Sequence, residues 1–292
     1  MLLPEESAYD LTLSQRFTHR NAINSQGGRC CALIGNTVFL PDYFAETIDI
    51  FSIDADTISS FDRINLFSGH APAPKTAIRS GEYYFHNAAD MCLGKFHSCH
   101  SCHPFGRAAG LKWDMECDGN GNFKNDKSLL YAHLTPPMMW TGVRDSLGIA
   151  TRKHIELVLF LSPSSREEQA QHIDAYISSL RAVPSPYLDK GRLSESASRG
   201  KQLFTSLGCT RCHPPESYLT DMKRHSGKIG ADDIGPWDGN WDTPSLHEVW
   251  RTGPYIHDGR TMDMVELLNK YEESRGLTMQ DVRDLAEYVN SL

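Results

Sequence analysis

Two short runs carry the most chemistry in this 292-residue chain: Cys99-His100-Ser101-Cys102-His103 and Cys209-Thr210-Arg211-Cys212-His213. Both read C-x-x-C-H. At this composition one such run would arise by chance about 0.01 times, so two are a designed feature. Two thiols three positions apart can add across the two vinyl groups of a haem, and the next residue then presents an imidazole to the iron. Cys99, Cys102, Cys209 and Cys212 are therefore the expected thioether anchors, with His103 and His213 as proximal ligands. The alternative chemistry is zinc, held by two Cys and one or two His, or a thiol redox pair. Zinc does not need a histidine directly after the second cysteine in both copies.

The elements around the two motifs repeat as well. Gly81-Glu82-Tyr83-Tyr84-Phe85 precedes the first motif and Gly200-Lys201-Gln202-Leu203-Phe204 the second, both G-x-x-x-F on an expected helix. Trp140-Thr141-Gly142 begins 37 residues after His103, and Trp250-Arg251-Thr252-Gly253 begins 37 residues after His213. Ala175-Tyr176-Ile177-Ser178-Ser179-Leu180 parallels Glu287-Tyr288-Val289-Asn290-Ser291-Leu292. A duplicated unit of about one small domain follows. The prolines of Ala182-Val183-Pro184-Ser185-Pro186-Tyr187 end a helix expected over 166–181 and mark the linker between the copies. Ser164 or Ser165 is the expected cap of that helix, and Thr278 with Asp281 the cap of the last one.

The first 70 residues differ. Runs 29–33, 37–40, 47–53 and 58–66 are β-rich and separated by turn signals such as Gly35-Asn36. Four such strands make about one propeller blade, which cannot bury its own faces. Ala71-Pro72-Ala73-Pro74 reads as a linker. The expected architecture is mainly α: a small N-terminal β segment (1–74) resembling one blade, then two tandem cytochrome c-like haem domains (75–183 and 184–292).

Composition narrows the classes. Hydrophobic residues make up 40% and charged ones 23%, which excludes a disordered, collagenous or coiled-coil chain. The net charge of −8 argues against nucleic acid or an anionic membrane as partner. No run of 18 apolar residues supplies a membrane span. Haem is attached to C-x-x-C-H outside the cytoplasm, so a periplasmic or equivalent compartment is expected. The opening Met1-Leu2-Leu3-Pro4-Glu5-Glu6 is no export signal, and the expectation is that Met1 is not the natural start. Cys30, Cys31 and Cys92 have no assigned role, although adjacent Cys30 and Cys31 would alternate faces on a strand.

With these motifs the chain resembles the bacterial dihaem cytochrome c peroxidase and MauG-like family over roughly 79–292. The resemblance also rests on Asp242-Thr243-Pro244-Ser245-Leu246 and on Pro254-Tyr255-Ile256-His257-Asp258-Gly259-Arg260. The segments Cys102-His103-Pro104, Trp113-Asp114, Asp118-Gly119 and Lys127-Ser128-Leu129-Leu130 resemble a subgroup in which a β-propeller precedes the dihaem part. The resemblance implies an oxidoreductase with two covalent haem c groups. Electrons from a small donor, a cytochrome c or cupredoxin, enter at the C-terminal haem and are used at the N-terminal haem on a small oxidant. It places Trp140 as a bridge between the haems and a calcium ion between the domains, for which the sequence shows no dedicated acidic loop.

For the sixth ligand of the C-terminal haem the family uses Met or Tyr after the His-Asp-Gly run. Tyr271 is nearest by position, with His225, His257, Met262, Met264 or an open site as alternatives. For the N-terminal haem the distal wall is expected from 116–133 or 151–161. His133 is a ligand or proton relay there, Glu156 a general acid–base group, and Asp118 a further proton carrier. The family's distal Gln–Glu pattern is not reproduced. Cys117 is either a buried inert thiol or a third haem anchor, because the dihaem subunit of hydrazine synthase resembles this family and carries such a cysteine. The competing functions are an electron carrier with both irons six-coordinate, a subunit working only within a larger complex such as hydrazine synthase, docked through the β segment, and a haem-free binding module.

Overall fold

The structure, a computed structural model, describes residues 27–28, 30–54, 57–67, 76–114, 123–226 and 239–292, without the side chains of 54 and 57–61. The chain divides into Met1–Pro74 and Lys75–Leu292. It is mixed rather than mainly α, 41% helical and 16% strand.

The first unit is an antiparallel meander of β1 (Ala32–Ile34), β2 (Thr37–Asp42), β3 (Thr47–Asp54) and β4 (Thr57–Asn65), paired in sequence order. Gly35 turns β1 into β2 with φ +59°, the left-handed conformation that a two-residue hairpin assigns to glycine. Alternation sets the buried face: Thr47, Asp49 and Phe51 on β3 and Val38 on β2 are buried. Asp49 sits opposite Arg63 in the β3–β4 register, and the guanidinium grips it at 2.6 and 2.9 Å. Cys30 and Cys31 precede β1 and are both exposed, not divided between two faces.

The second unit contains α1 (Ala77–His86), α2 (Ala88–Met91), α3 (Cys99–Cys102), the strand pair β5 (Lys112–Trp113) and β6 (Lys124–Asn125), α4 (Leu147–Leu157), α5 (Glu167–Ser179), α6 (Glu195–Ser206), the pair β7 (Arg224–Ser226) and β8 (Asn240–Asp242), α7 (Met264–Asn269) and α8 (Met279–Asn290). Its sequence repeat has a physical basis in two helix crossings. Helix α1 lies against α5 at Gly81, where a Cβ would come within 1.8 Å of the His172 carbonyl oxygen. Helix α6 lies against α8 at Gly200, where a Cβ would come within 1.9 Å of the Asp284 carbonyl oxygen. Only glycine allows backbones this close. One turn on, the aromatic of each G-x-x-x-F packs on a tyrosine of the partner helix: Phe85 on Tyr176 at 5.2 Å and Phe204 on Tyr288 at 5.3 Å between ring centroids. Each crossing nucleates its own apolar core, around Phe85, Ile155 and Ile173 in one lobe and Phe204, Leu285 and Val289 in the other.

Helix termini follow the sequence with one exception. Thr278 and Asp281 form the expected capping box of α8. Ser164 and Ser165 do not cap α5; they lie in a 3₁₀ turn, Pro163–Arg166, and the α-helix begins at Glu167. The Pro184–Pro186 segment is docked rather than loose. Ser185 Oγ donates to the Asn290 carbonyl at 2.6 Å, and the Val183 N–H donates to Glu248. Glu248 is fully buried and also binds Arg107 through two bonds of 3.0 and 3.1 Å and Arg251. One carboxylate thereby ties the end of the first lobe to the second.

Candidate haem site

The side chains that position the site come from both lobes and line one continuous cavity of about 580 Å³. Cys99, Cys102 and His103 border it from the first motif, Cys212 and His213 from the second. The first motif forms α3, a single turn opened by Ser98; the second is a 3₁₀ turn, Cys209–Arg211, entered through Gly208 at φ +77°. In both, the histidine N–H bonds back to the carbonyl of the first cysteine at 2.9 Å, so the two motifs turn alike.

These residues fit a covalent haem. His213 Nδ1 lies 2.8 Å from the Leu219 carbonyl. A carbonyl can only accept, so Nδ1 carries the proton and Nε2 keeps its lone pair for a metal, the arrangement that orients metal-binding imidazoles. Burial lowers the proton affinity of His213. His103 is pushed down to about 4, first by burial and then by the nearby His154, and its Nδ1 has no hydrogen-bond partner. Burial pushes the Cys99 thiol up to about 12 and Cys102 up to about 11, while Cys209 is also raised. Among the described residues the one ion-sized group of His, Cys and acidic side chains is Cys212, Asp221 and His225, which includes neither Cys209 nor either thiol of the first motif. It is not an oxygen-rich calcium set either.

Trp140 borders the cavity. Its Nε1 donates to the Asn125 carbonyl at 2.7 Å, its own carbonyl accepts from Asp242 N–H at 2.8 Å, and Lys127 Nζ stands 5.3 Å from the ring. The Lys127 ammonium also binds Asp242 at 2.6 Å. Trp140 is thus stitched to residues of both lobes. Its counterpart in the repeat, Trp250, does not reach the cavity. Trp241 does, stacked on His257 at 3.8 Å.

The sixth-ligand candidates separate cleanly. Tyr271, His257 and His225 border the cavity. Burial, and then the charges of Cys209 and Glu273, push the Tyr271 phenol up to about 12, so it is a neutral donor in the protein alone. His225 is held by Asp221 at 2.7 Å. Met262 is exposed, and Met264 is packed in the core of the second lobe.

Of the distal candidates of the first lobe, Glu156 and His133 are not brought together. Glu156 lies on the outer face of α4, paired with Lys153 at 2.7 Å. His133 lines a separate outer pocket with Arg181, Glu216 and His247. Asp118 and Cys117 lie outside the described residues. The sequence reading passed over His154. On α4 and its C-cap, residues 147, 150, 151, 154, 155 and 158 all face the cavity. That is one helical stripe, and Glu156 is about 200° round the helix from His154. The apolar period of α4 is the signal that could have made the choice. The carboxyl groups on the cavity wall, Asp126 and Asp242, were also passed over; burial raises both.

Comparison with known proteins agrees with this geometry. Residues 197–292 match the family Cytochrome c. Hydrazine synthase subunit gamma of Kuenenia stuttgartiensis is 25% identical over 281 residues, covering 76% of this chain and 79% of that protein. The methylamine utilization protein MauG of Methylorubrum extorquens is 29% identical over 94 residues, 28% of this chain and 27% of that protein. The cytochrome c peroxidase Ccp of Escherichia coli is 29% identical over 125 residues, 36% of this chain and 26% of that protein. This chain therefore spans about a quarter of each of the last two. Among solved structures, Kuenenia stuttgartiensis hydrazine synthase superposes with a TM-score of 0.65 at 25% identity, over 76% of this chain and 89% of that one. The diheme peroxidase BthA of Burkholderia thailandensis shares the fold, with a TM-score of 0.55 at 17% identity over 76% and 86%. The chain is similar to MauG-like dihaem proteins, and residues 197–292 of its C-terminal lobe carry the cytochrome c match.

Proposed function

We propose that this chain is a dihaem c-type oxidoreductase. Cys99 and Cys102 with His103 would hold one haem c, and Cys209 and Cys212 with His213 the other. The observation that carries the reading is that the two motifs, from separate lobes, open on one cavity with Trp140 on its wall. When bound, the haems supply one-electron chemistry. The chain's own residues do the rest. His213 is oriented by the Leu219 carbonyl, His103 is kept neutral by burial, and apolar side chains such as Leu147, Ile155 and Leu246 exclude water. Trp140, fixed by Asn125 and Asp242, relays electrons from the C-terminal site to the N-terminal one, where a small oxidant is reduced. Electrons arrive from a cytochrome c or cupredoxin in a periplasmic compartment, and the tandem haem domains follow the two crossings at Gly81 and Gly200. In the described residues no helix is long and apolar enough to cross a membrane.

A second reading is favoured by a relative covered over 79% of its length, whose name marks it as a subunit of hydrazine synthase. On that reading this chain works inside a complex, its four-stranded sheet standing as a propeller blade or docking to one, and Cys117 adds a third bond to the N-terminal haem.

The test is an optical spectrum of protein matured in a host that attaches haem c. Two haems by mass are expected, and carbon monoxide should shift the Soret band of one after reduction. A colourless protein of unmodified mass refutes the dihaem reading, and two haems that both ignore carbon monoxide refute catalysis. Co-purification of a native partner separates the complex reading, which a lone monomer overturns. A Cys117 peptide that runs without haem removes the third anchor.

A further inference from the structure

We propose that the Lys127 ammonium guards Trp140 against oxidation, so that electrons cross between the two haem sites through the indole without leaving it as a radical. The inference rests on the reading of Trp140 as the relay and deepens it; Lys127 is a positioning residue that acts through that ring.

The geometry closes on itself from three segments of the chain. Lys127 Nζ stands 5.3 Å from the centroid of the Trp140 ring. It is held there by Asp242 Oδ2 at 2.6 Å, and the same Asp242 donates its backbone N–H to the Trp140 carbonyl at 2.8 Å. Two residues before Lys127, the Asn125 carbonyl accepts from Trp140 Nε1 at 2.7 Å. The ion pair is largely shielded from water, with the Lys127 side chain 23% exposed and that of Asp242 3%, so salt screens it weakly. The arrangement recurs on the same cavity wall, where the ammonium of the buried Lys124 stands 5.7 Å from the centroid of Trp241.

An ammonium near an indole face is attracted by the electron-rich ring. Taking one electron from the ring reverses that attraction. An oxidised indole becomes neutral only by losing its N–H proton, and here that proton faces a backbone carbonyl, which is no base. In the oxidising step one electron leaves the indole, no bond forms or breaks, and Nε1 keeps its proton. The product is a cation facing the Lys127 ammonium. At this separation two unit charges repel strongly enough to move an equilibrium more than tenfold even at an effective dielectric of about 20, with Asp242 offsetting part of it.

The test uses haem-loaded wild type, Lys127→Gln, Lys127→Arg and Lys127→Gln with Trp140→Phe, after covalent haem content and melting temperature are matched. Each is mixed with hydrogen peroxide, which takes two electrons and two protons to become two waters, and is then frozen for electron paramagnetic resonance. Ring-deuterated tryptophan identifies an indole radical by narrowing its signal. Lys127→Gln should accumulate about tenfold more indole radical than wild type. Lys127→Arg, which keeps the charge, should behave as wild type, and the double variant should lose the signal. Equal yields in wild type and Lys127→Gln, including none in either, overturn the proposal. So does a radical that survives Trp140→Phe, or a Lys127→Arg yield as high as that of Lys127→Gln. An unchanged rate between the haems in Trp140→Phe overturns the relay reading instead, and protein that never acquires haem overturns both.

Discussion

Replacing Gly81 or Gly200 by alanine puts a methyl carbon where a helix backbone already lies. At Gly81 the new Cβ would sit 1.8 Å from the His172 oxygen and 2.9 Å from the Tyr176 Cβ; at Gly200 it would sit 1.9 Å from the Asp284 oxygen and 2.8 Å from the Tyr288 Cβ. Real Cβ contacts essentially never fall below 3.0 Å, so each helix pair must open by more than an ångström. Both crossings are flanked by fully packed side chains, and separation breaks those contacts. Overpacking of this kind costs about 3 kcal/mol, and the better helix propensity of alanine returns about 1 kcal/mol. A net loss of about 2 kcal/mol lowers the melting temperature by roughly 4–8 °C in a unit of this size. Gly148 is the control. It lies in α4, but its Cβ would meet only side-chain ends, Arg152 Nη1 at 3.3 Å and Asp174 Oδ2 at 3.6 Å. Gly148→Ala should be neutral or stabilising by up to about 1 kcal/mol. Thermal unfolding of the haem-loaded variants, followed by far-ultraviolet circular dichroism and by the Soret band, reads all three. Equal losses at Gly81 and Gly200 support two lobes closed by the same contact. If either variant is as stable as Gly148→Ala, the close approach does not hold that lobe together.

Glu248→Ala should cost about 3–5 kcal/mol in denaturant unfolding, because it leaves the buried Arg107 contact unbalanced and removes the bond to the Val183 N–H; a loss within experimental error would show that the lobes are held otherwise. Arg199, with Ser196 and Gln280, holds the Asp284 carboxyl below the usual carboxylate range. A depressed carboxyl adds stability above its unfolded value near 4 and loses it as the pH falls. Wild type and Asp284→Asn should therefore differ in stability at neutral pH and converge in acid; a gap that persists or widens below pH 4 contradicts the ion pair. Trp140→Phe keeps an aromatic ring, though a smaller one, and loses the bond to Asn125, so the lost hydrogen bond should cost about 1 kcal/mol of stability while electron transfer between the haems slows. Flash reduction followed at both Soret bands measures that rate, and an unchanged rate removes Trp140 from the path.

Much of this protein is written locally. The C-x-x-C-H runs, the Gly35 hairpin, the Thr278–Asp281 capping box and the paired G-x-x-x-F segments are each short-range patterns whose chemistry acts within a turn or two, so they were legible residue by residue. Their equivalence across two lobes was legible too, because the same helix contact demands the same glycine and aromatic. The cavity wall was not. Whether His154 or Glu156 faces the haem site depends on the rotation of α4 about its own axis. That rotation is decided by which side chains pack against α5, over a hundred degrees per residue. His133 turns away for the same kind of reason, and Trp241, unremarkable in the sequence, finds His257 only when β8 is laid beside the His-Asp-Gly loop. A linker rich in proline looks loose until the buried Glu248 is seen to grip it. Ligand atoms brought from distant segments into one space are a product of packing, and no spacing along the chain encodes that convergence.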